Sequence, residues 1–129
     1  MELAVERIAA LSFILIGLSH LAAPAAWAAL FAAWRDEGPV GGIRNGLLNA
    51  PFALLILGFH QVYVWPAILI TLTGWALLVK TATNLLAPAW SIRNQAKVDN
   101  GEHWRYRVAG VFAVAVGLLF GAISEGLLR

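Results

Sequence analysis

Four long apolar runs alternate with short polar stretches, over about residues 8–26, 43–60, 63–87 and 107–127, each close to the roughly 20 residues a helix needs to cross a hydrocarbon core. Inside lipid every backbone donor and acceptor must be satisfied internally, and four short Ala- and Leu-rich segments cannot close a barrel, so each run is predicted to be a helix. The second run is the most polar, with Asn45, Asn49 and Pro51 in its first half. Pro51 frees the carbonyl of Leu47 and predicts a kink there. A tight hairpin is predicted at His60-Gln61. Beyond Pro24, residues Trp27, Leu30, Phe31 and Trp34 recur at helical spacing. The first helix therefore either bends and continues along the membrane interface or simply lengthens the span.

Composition strengthens this picture. Of 129 residues, 60% are hydrophobic and only 12% charged, far from the balance of a water-soluble domain. The expectation is one all-α domain, an integral membrane four-helix bundle. With no cysteine, disulfides, thiolate metal sites and cysteine nucleophiles are excluded. The formal charge is +2, but no basic run interleaved with aromatics exists, so nucleic acid is not an expected partner. Residues Ile8 to Ser19, followed by Ala23-Pro24-Ala25, have the outline of a signal peptide. Glu2 and Glu6 against a single Arg7 give that region the wrong charge, and three more spans follow.

Charge placement predicts orientation. Arg35, Arg44, Lys80, Arg93, Lys97, Arg105 and Arg107 gather at one end of the four spans, and only Arg7 and Arg129 at the other. By the positive-inside rule the first and third loops are expected to be cytoplasmic and both termini outside. Trp27, Trp34, Trp90 and Trp104 fall at the same end as the cations, and Tyr63 and Trp65 at the opposite one, as interfacial aromatics do.

The two halves resemble each other. His20-Leu21-Ala22-Ala23-Pro24-Ala25-Ala26-Trp27 is echoed by Asn84-Leu85-Leu86-Ala87-Pro88-Ala89-Trp90, with the prolines 64 residues apart. Gly46 falls on Gly110 at the same offset. Two tandem two-helix repeats of parallel orientation, about 8–60 and 70–127, are expected.

This topology gathers polar residues at the basic end: His20 from the first span, Asn45 and Asn49 from the second, and Lys80, Thr83 and Asn84 from the third. Asn45 and Asn49, like Lys80 and Asn84, are spaced i,i+4 and share a helix face. An ionisable residue within a span costs about 2.5–3.5 kcal/mol on insertion scales, which makes Lys80 the leading ligand-binding candidate; snorkelling to the headgroups is the competing reading. His20 is either a hydrogen-bonding packing residue or a proton-transfer or ligand contact. Arg44, Arg107, Trp27 and Trp90 are expected to anchor to lipid headgroups. Ala113, Gly117 and Gly121, four apart, form a small face for close helix packing, within the chain or with another.

No catalytic residue is indicated, because paired carboxylates, HExxH, GxSxG and P-loop patterns are all missing from the sequence. No metal site or cofactor is expected. His20 and His60 fall at opposite ends and His103 in a loop, which argues against bis-histidine haem.

The stretch Arg7-Ile8 through Gly17-Leu18-Ser19-His20-Leu21 to Pro24 resembles the opening of DoxX-like small four-helix bacterial membrane proteins, with an Arg start and a Gly-Leu-x-Lys-Leu-type end. His20 stands where that pattern often has lysine. The resemblance implies the fold and a bacterial cytoplasmic membrane, and gives His20 no role.

Three functions follow as expectations. Small size and minimal loops point first to a non-enzymatic accessory or scaffold protein that binds lipid or partner helices, as a homo-oligomer or in a larger membrane complex. The polar cluster supports a carrier or channel for a small anionic solute. The third is an enzyme acting on a lipid-soluble substrate.

Overall fold

Proline and hydropathy together set the helix limits in the computed structural model, which describes residues 1–95 and 102–128. The elements are α1 (Glu2–Ala22), α2 (Pro24–Asp36), α3 (Pro39–Phe59), α4 (Ile68–Leu86), α5 (Pro88–Asn94) and α6 (Trp104–Ser124). Helices α1, α3, α4 and α6 are long and apolar enough to cross a membrane, so the chain is an all-α membrane protein built on four spans. Lys97 and Arg129, which entered the charge tally, lie outside the described residues.

Several boundaries differ from the sequence expectation: α1 starts at Glu2 instead of 8, α3 at Pro39 instead of 43 and α6 at Trp104 instead of 107, and three further differences are due to proline. The first apolar run is broken at Ala23, because the ring of Pro24 disfavours helical geometry in the residue before it, and a separate α2 begins. The third span starts at Ile68 instead of 63, since Pro66 blocks helix at Trp65 in the same way. The third loop contains α5, started by Pro88. The two breaks are alike in detail: Ala23 has φ −134° and ψ 55°, and Ala87 has φ −133° and ψ 56°.

Helix α1 packs along α6, and α3 along α4, so each pair joins one half of the sequence to the other. Glycines allow the first approach. A Cβ on Gly17 would lie 2.7 Å from the Gly110 carbonyl oxygen and the Val114 nitrogen, and one on Gly117 would lie 2.8 Å from the Ala10 carbonyl oxygen. The small face of α6 thus takes α1 of the same chain as its partner. Glu125 closes this pair through Arg7, 2.9 Å away. The contacts of the halves are reciprocal: Gly46 abuts Asn84 and Leu85, while Gly110 abuts His20 and Leu21, the residues 64 positions earlier.

Helix α6 ends in a Schellman turn. Gly126, at φ 71°, donates to Ile123, and Leu127 donates to Ala122, which satisfies the terminal carbonyls.

The core fills the end of the bundle that carries both termini. Val5, Ala9, Ala10, Ile56, Ile70, Phe120 and Ile123 are buried there, and Phe13 meets Phe120 edge-on at 5.6 Å. Only 22–33% of each span is buried, and the outward residues include Leu11, Leu15, Leu54, Phe112 and Leu118. That belt is what lipid requires and what water would punish.

Candidate functional site

Above the core the helix pairs separate and enclose a cavity of about 460 Å³. Its walls are apolar: Phe13 and Ile16 of α1, Phe31 of α2, Leu48 and Phe52 of α3, and Leu77 of α4. The volume lies within the range of sites that take drug-sized ligands. Polar groups enter mainly from His20, Asn45, Asn49 and Lys80, four of the residues singled out in the sequence.

Helical spacing delivers these groups. Asn45 and Asn49 lie one turn apart on α3, and the Asn49 amide donates to the Asn45 backbone carbonyl and to its Oδ1, at 2.7 and 2.8 Å. This fixes Asn49 so that its own Oδ1 faces α4, where Lys80 Nζ donates to it at 3.4 Å. The ammonium therefore turns toward α3, while the side chain keeps exposed surface. One long hydrogen bond leaves its other N–H groups with no partner among the described residues. Nor does any described carboxylate lie within ion-pair distance of Lys80 or of Arg35.

His20 forms the opposite wall. Its Nδ1 is 2.8 Å from the Ile16 carbonyl, which can only accept, so Nδ1 carries the proton and Nε2 of the neutral ring is left as an acceptor. The ring stacks on Trp27 at 4.0 Å, and Trp27 is held by donation from Nε1 to Ser19 Oγ at 3.0 Å. Phe31 and Tyr106 continue the aromatic stack. Trp27, expected as a headgroup anchor, is thus drawn inward to line the cavity.

A second cavity of about 360 Å³ adjoins the first through Phe31, Asn45 and Lys80, and is further lined by Arg35, Gln95, Arg105 and Tyr106. Arg105 is paired with Glu102 at 3.4 Å. Thr83 and Asn84 line a third space of about 300 Å³ that again shares Asn45 and Lys80. Asn45 and Lys80 stand where the three meet. Of the other expected residues, Arg44 pairs with Glu37 at 3.1 Å, Arg107 and Trp90 are exposed, and Ala113 lines the central cavity.

Asn84 is also structural. Its amide donates to the Lys80 carbonyl at 2.8 Å, and its Oδ1 accepts from the Ser91 hydroxyl at 2.7 Å, which docks α5 on α4. Replacing Asn84 by Ala leaves these partners open at a buried position. A loss of about 1–3 kcal/mol in detergent unfolding is expected.

A second polar cluster, not indicated by the sequence, lies at the termini-bearing end. His60 is fully buried; its Nδ1 is 2.9 Å from Thr71 Oγ1 and its Nε2 is 3.2 Å from Glu6 Oε1. Three elements meet there, from α1, the end of α3 and the first turn of α4. The one available sequence signal was Glu6, a carboxylate one turn inside the first helix.

No family model matches this chain, and no curated protein or solved structure is significantly similar to it. Among the described residues no group of three or more His, Asp or Glu side chains is arranged to hold a metal ion.

Proposed function

We propose that this protein binds a single-chain amphiphile with an anionic head, such as a carboxylate or phosphate monoester, within the membrane. The hydrocarbon part occupies the cavity between α1, α3 and α4, and the head sits on Lys80, Asn45 and Asn49. The observation that carries this reading is Lys80, a cation inside a span that bonds across to Asn49 of α3, with no described carboxylate beside it, at the junction of an apolar cavity and a basic mouth. Such a charge is costly unless it is compensated. An anionic head supplies the compensation.

Binding is favoured over conduction because the cavity ends on the packed core around Phe13 and Phe120. A continuous water path is not supported by that packing. The accessory-subunit reading retains its basis in size and loop length, but the small face of α6 that suggested a partner helix is covered by α1. We further read the halves as a duplicated unit related by a pseudo-two-fold axis along the membrane normal, on the strength of the matched breaks and reciprocal glycine contacts. The ligand site then lies on the seam between copies, and the bacterial cytoplasmic membrane with its basic end inward is the corresponding location.

Lys80→Met tests the reading directly. A hydrogen bond to a charged group contributes about 1.5–3 kcal/mol, so affinity for oleate is expected to fall about tenfold to a hundredfold, measured by native mass spectrometry or competition binding. Thermal stability without ligand is expected to hold or rise, because an uncompensated charge has been removed. Unchanged oleate affinity in Lys80→Met would overturn the proposal.

A further inference from the structure

The buried cluster of Glu6, His60 and Thr71 is independent of the central cavity, and its hydrogen bonds determine where its protons lie. The Thr71 hydroxyl has one proton. Val62 O lies 2.9 Å from Oγ1 and can only accept, so that proton is donated there, in preference to His60 O at 3.3 Å. The hydroxyl oxygen accepts from the Val62 N–H at 3.2 Å. Its remaining close neighbour, His60 Nδ1 at 2.9 Å, must therefore donate, which places a proton on Nδ1.

The consequence falls on the other ring nitrogen. With Nδ1 protonated, His60 Nε2 either carries a second proton or presents a lone pair to Glu6 Oε1, 3.2 Å away. Two lone pairs cannot face each other at that distance in a buried site, so one proton must lie between them: an imidazolium with a carboxylate, or an imidazole with a carboxylic acid. The His60 side chain has no exposed surface, whereas that of Glu6 is 13% exposed. The proton's route to solvent therefore runs through Glu6.

We propose that Glu6 and His60 form a buried proton-binding site that holds one proton between Nε2 and Oε1. Its occupancy clamps the start of α1 to the α3–α4 hairpin at the end of the bundle carrying the termini. When the proton leaves, a carboxylate faces an imidazole lone pair and the clamp opens. No other described ionisable side chain bonds to either group: Arg7 on α1 is directed to Glu125 beyond α6, and Tyr63 in the α3–α4 connection donates to Gln61. From helix α6, Phe120 and Ile123 are buried in this core.

The chain has no cysteine, so spin labels can be placed uniquely at Leu3→Cys and Val64→Cys, both exposed positions on the two sides of the clamp. In nanodiscs, raising the pH until the proton leaves is expected to lengthen and broaden the label distance in the otherwise wild-type protein. Glu6→Gln, whose amide can donate to Nε2 without a shared proton, is expected to abolish that response. A wild-type distance that does not respond, or an equal response in Glu6→Gln, would overturn the proposal. ¹⁵N spectra of histidine-labelled protein carrying His20→Asn and His103→Asn leave the clamp itself unaltered and report His60 alone. Protonated Nδ1 with a shifting Nε2 is expected; an unprotonated Nδ1 would contradict the site.

Discussion

Valine in place of Gly17 is expected to destabilise the protein by about 3 kcal/mol, the upper end of the range for overpacked cores. The reason is that its Cβ would meet backbone, the Gly110 carbonyl and the Val114 nitrogen at 2.7 Å, and backbone in a helix cannot rotate aside as a side chain can. Relief requires α1 and α6 to separate, which loosens their packing along much of the span. Gly121 provides the contrast within the same interface. The nearest atom to an added Cβ there is Ala10 Cβ at 4.0 Å, so Gly121→Ala is expected to be neutral or stabilising by up to about 1 kcal/mol through its better helix propensity. Unfolding of both variants in one detergent would show the difference. Equal effects would mean that α1 and α6 do not cross at Gly17.

Leucine at His60 is expected to cost more, about 3–5 kcal/mol, the usual result of leaving a buried charged group without its partner. Glu6 Oε1 would lose the bond to Nε2, its one partner among the described residues, and Thr71 Oγ1 would lose the bond to Nδ1. Adding Glu6→Leu should recover most of that loss, since a buried ion pair replaced by apolar side chains is often neutral or stabilising. The double variant should therefore be more stable than His60→Leu alone, measured by thermal unfolding at neutral pH. Additive losses would show that the two side chains do not act as a pair.

The spans were legible because hydropathy and proline act locally. Runs of apolar residues give the four long helices, and Pro24 and Pro88 give the two breaks through the conformation they impose on the preceding residue. Cavity walls were not legible. In a soluble protein the polar face of a helix reveals its apolar face, but lipid is as apolar as a core, so Phe13 and Phe52 in the cavity look no different in sequence from Phe112, which faces outward.

The polar residues were more informative. His20, Asn45, Asn49 and Lys80 stood out because such groups are costly in a span, and the fold brings them to one cavity. Trp27 was read by its position near a helix end, whereas its stacking on His20 and its bond to Ser19 depend on the turn at Ala23. The Glu6–His60–Thr71 cluster is not visible in the sequence because its contacts span 54 and 11 positions and because hydropathy alone starts the first span at about residue 8, leaving Glu6 outside it. Only the start of α1 at Glu2 brings that carboxylate inside the helix.

Photoaffinity labelling can locate an anionic amphiphile in the cavity beside Lys80. A single-chain carboxylate carrying a diazirine at mid-chain would be added to the protein in nanodiscs, and the labelled residues read by peptide mapping, for wild type and Lys80→Met. Labels are expected to concentrate on Phe13, Leu48, Phe52 and Leu77, to be competed by oleate and to be lost in Lys80→Met. Labels spread over the outward residues Leu11, Leu15, Phe112 and Leu118, equal in both proteins, would contradict it.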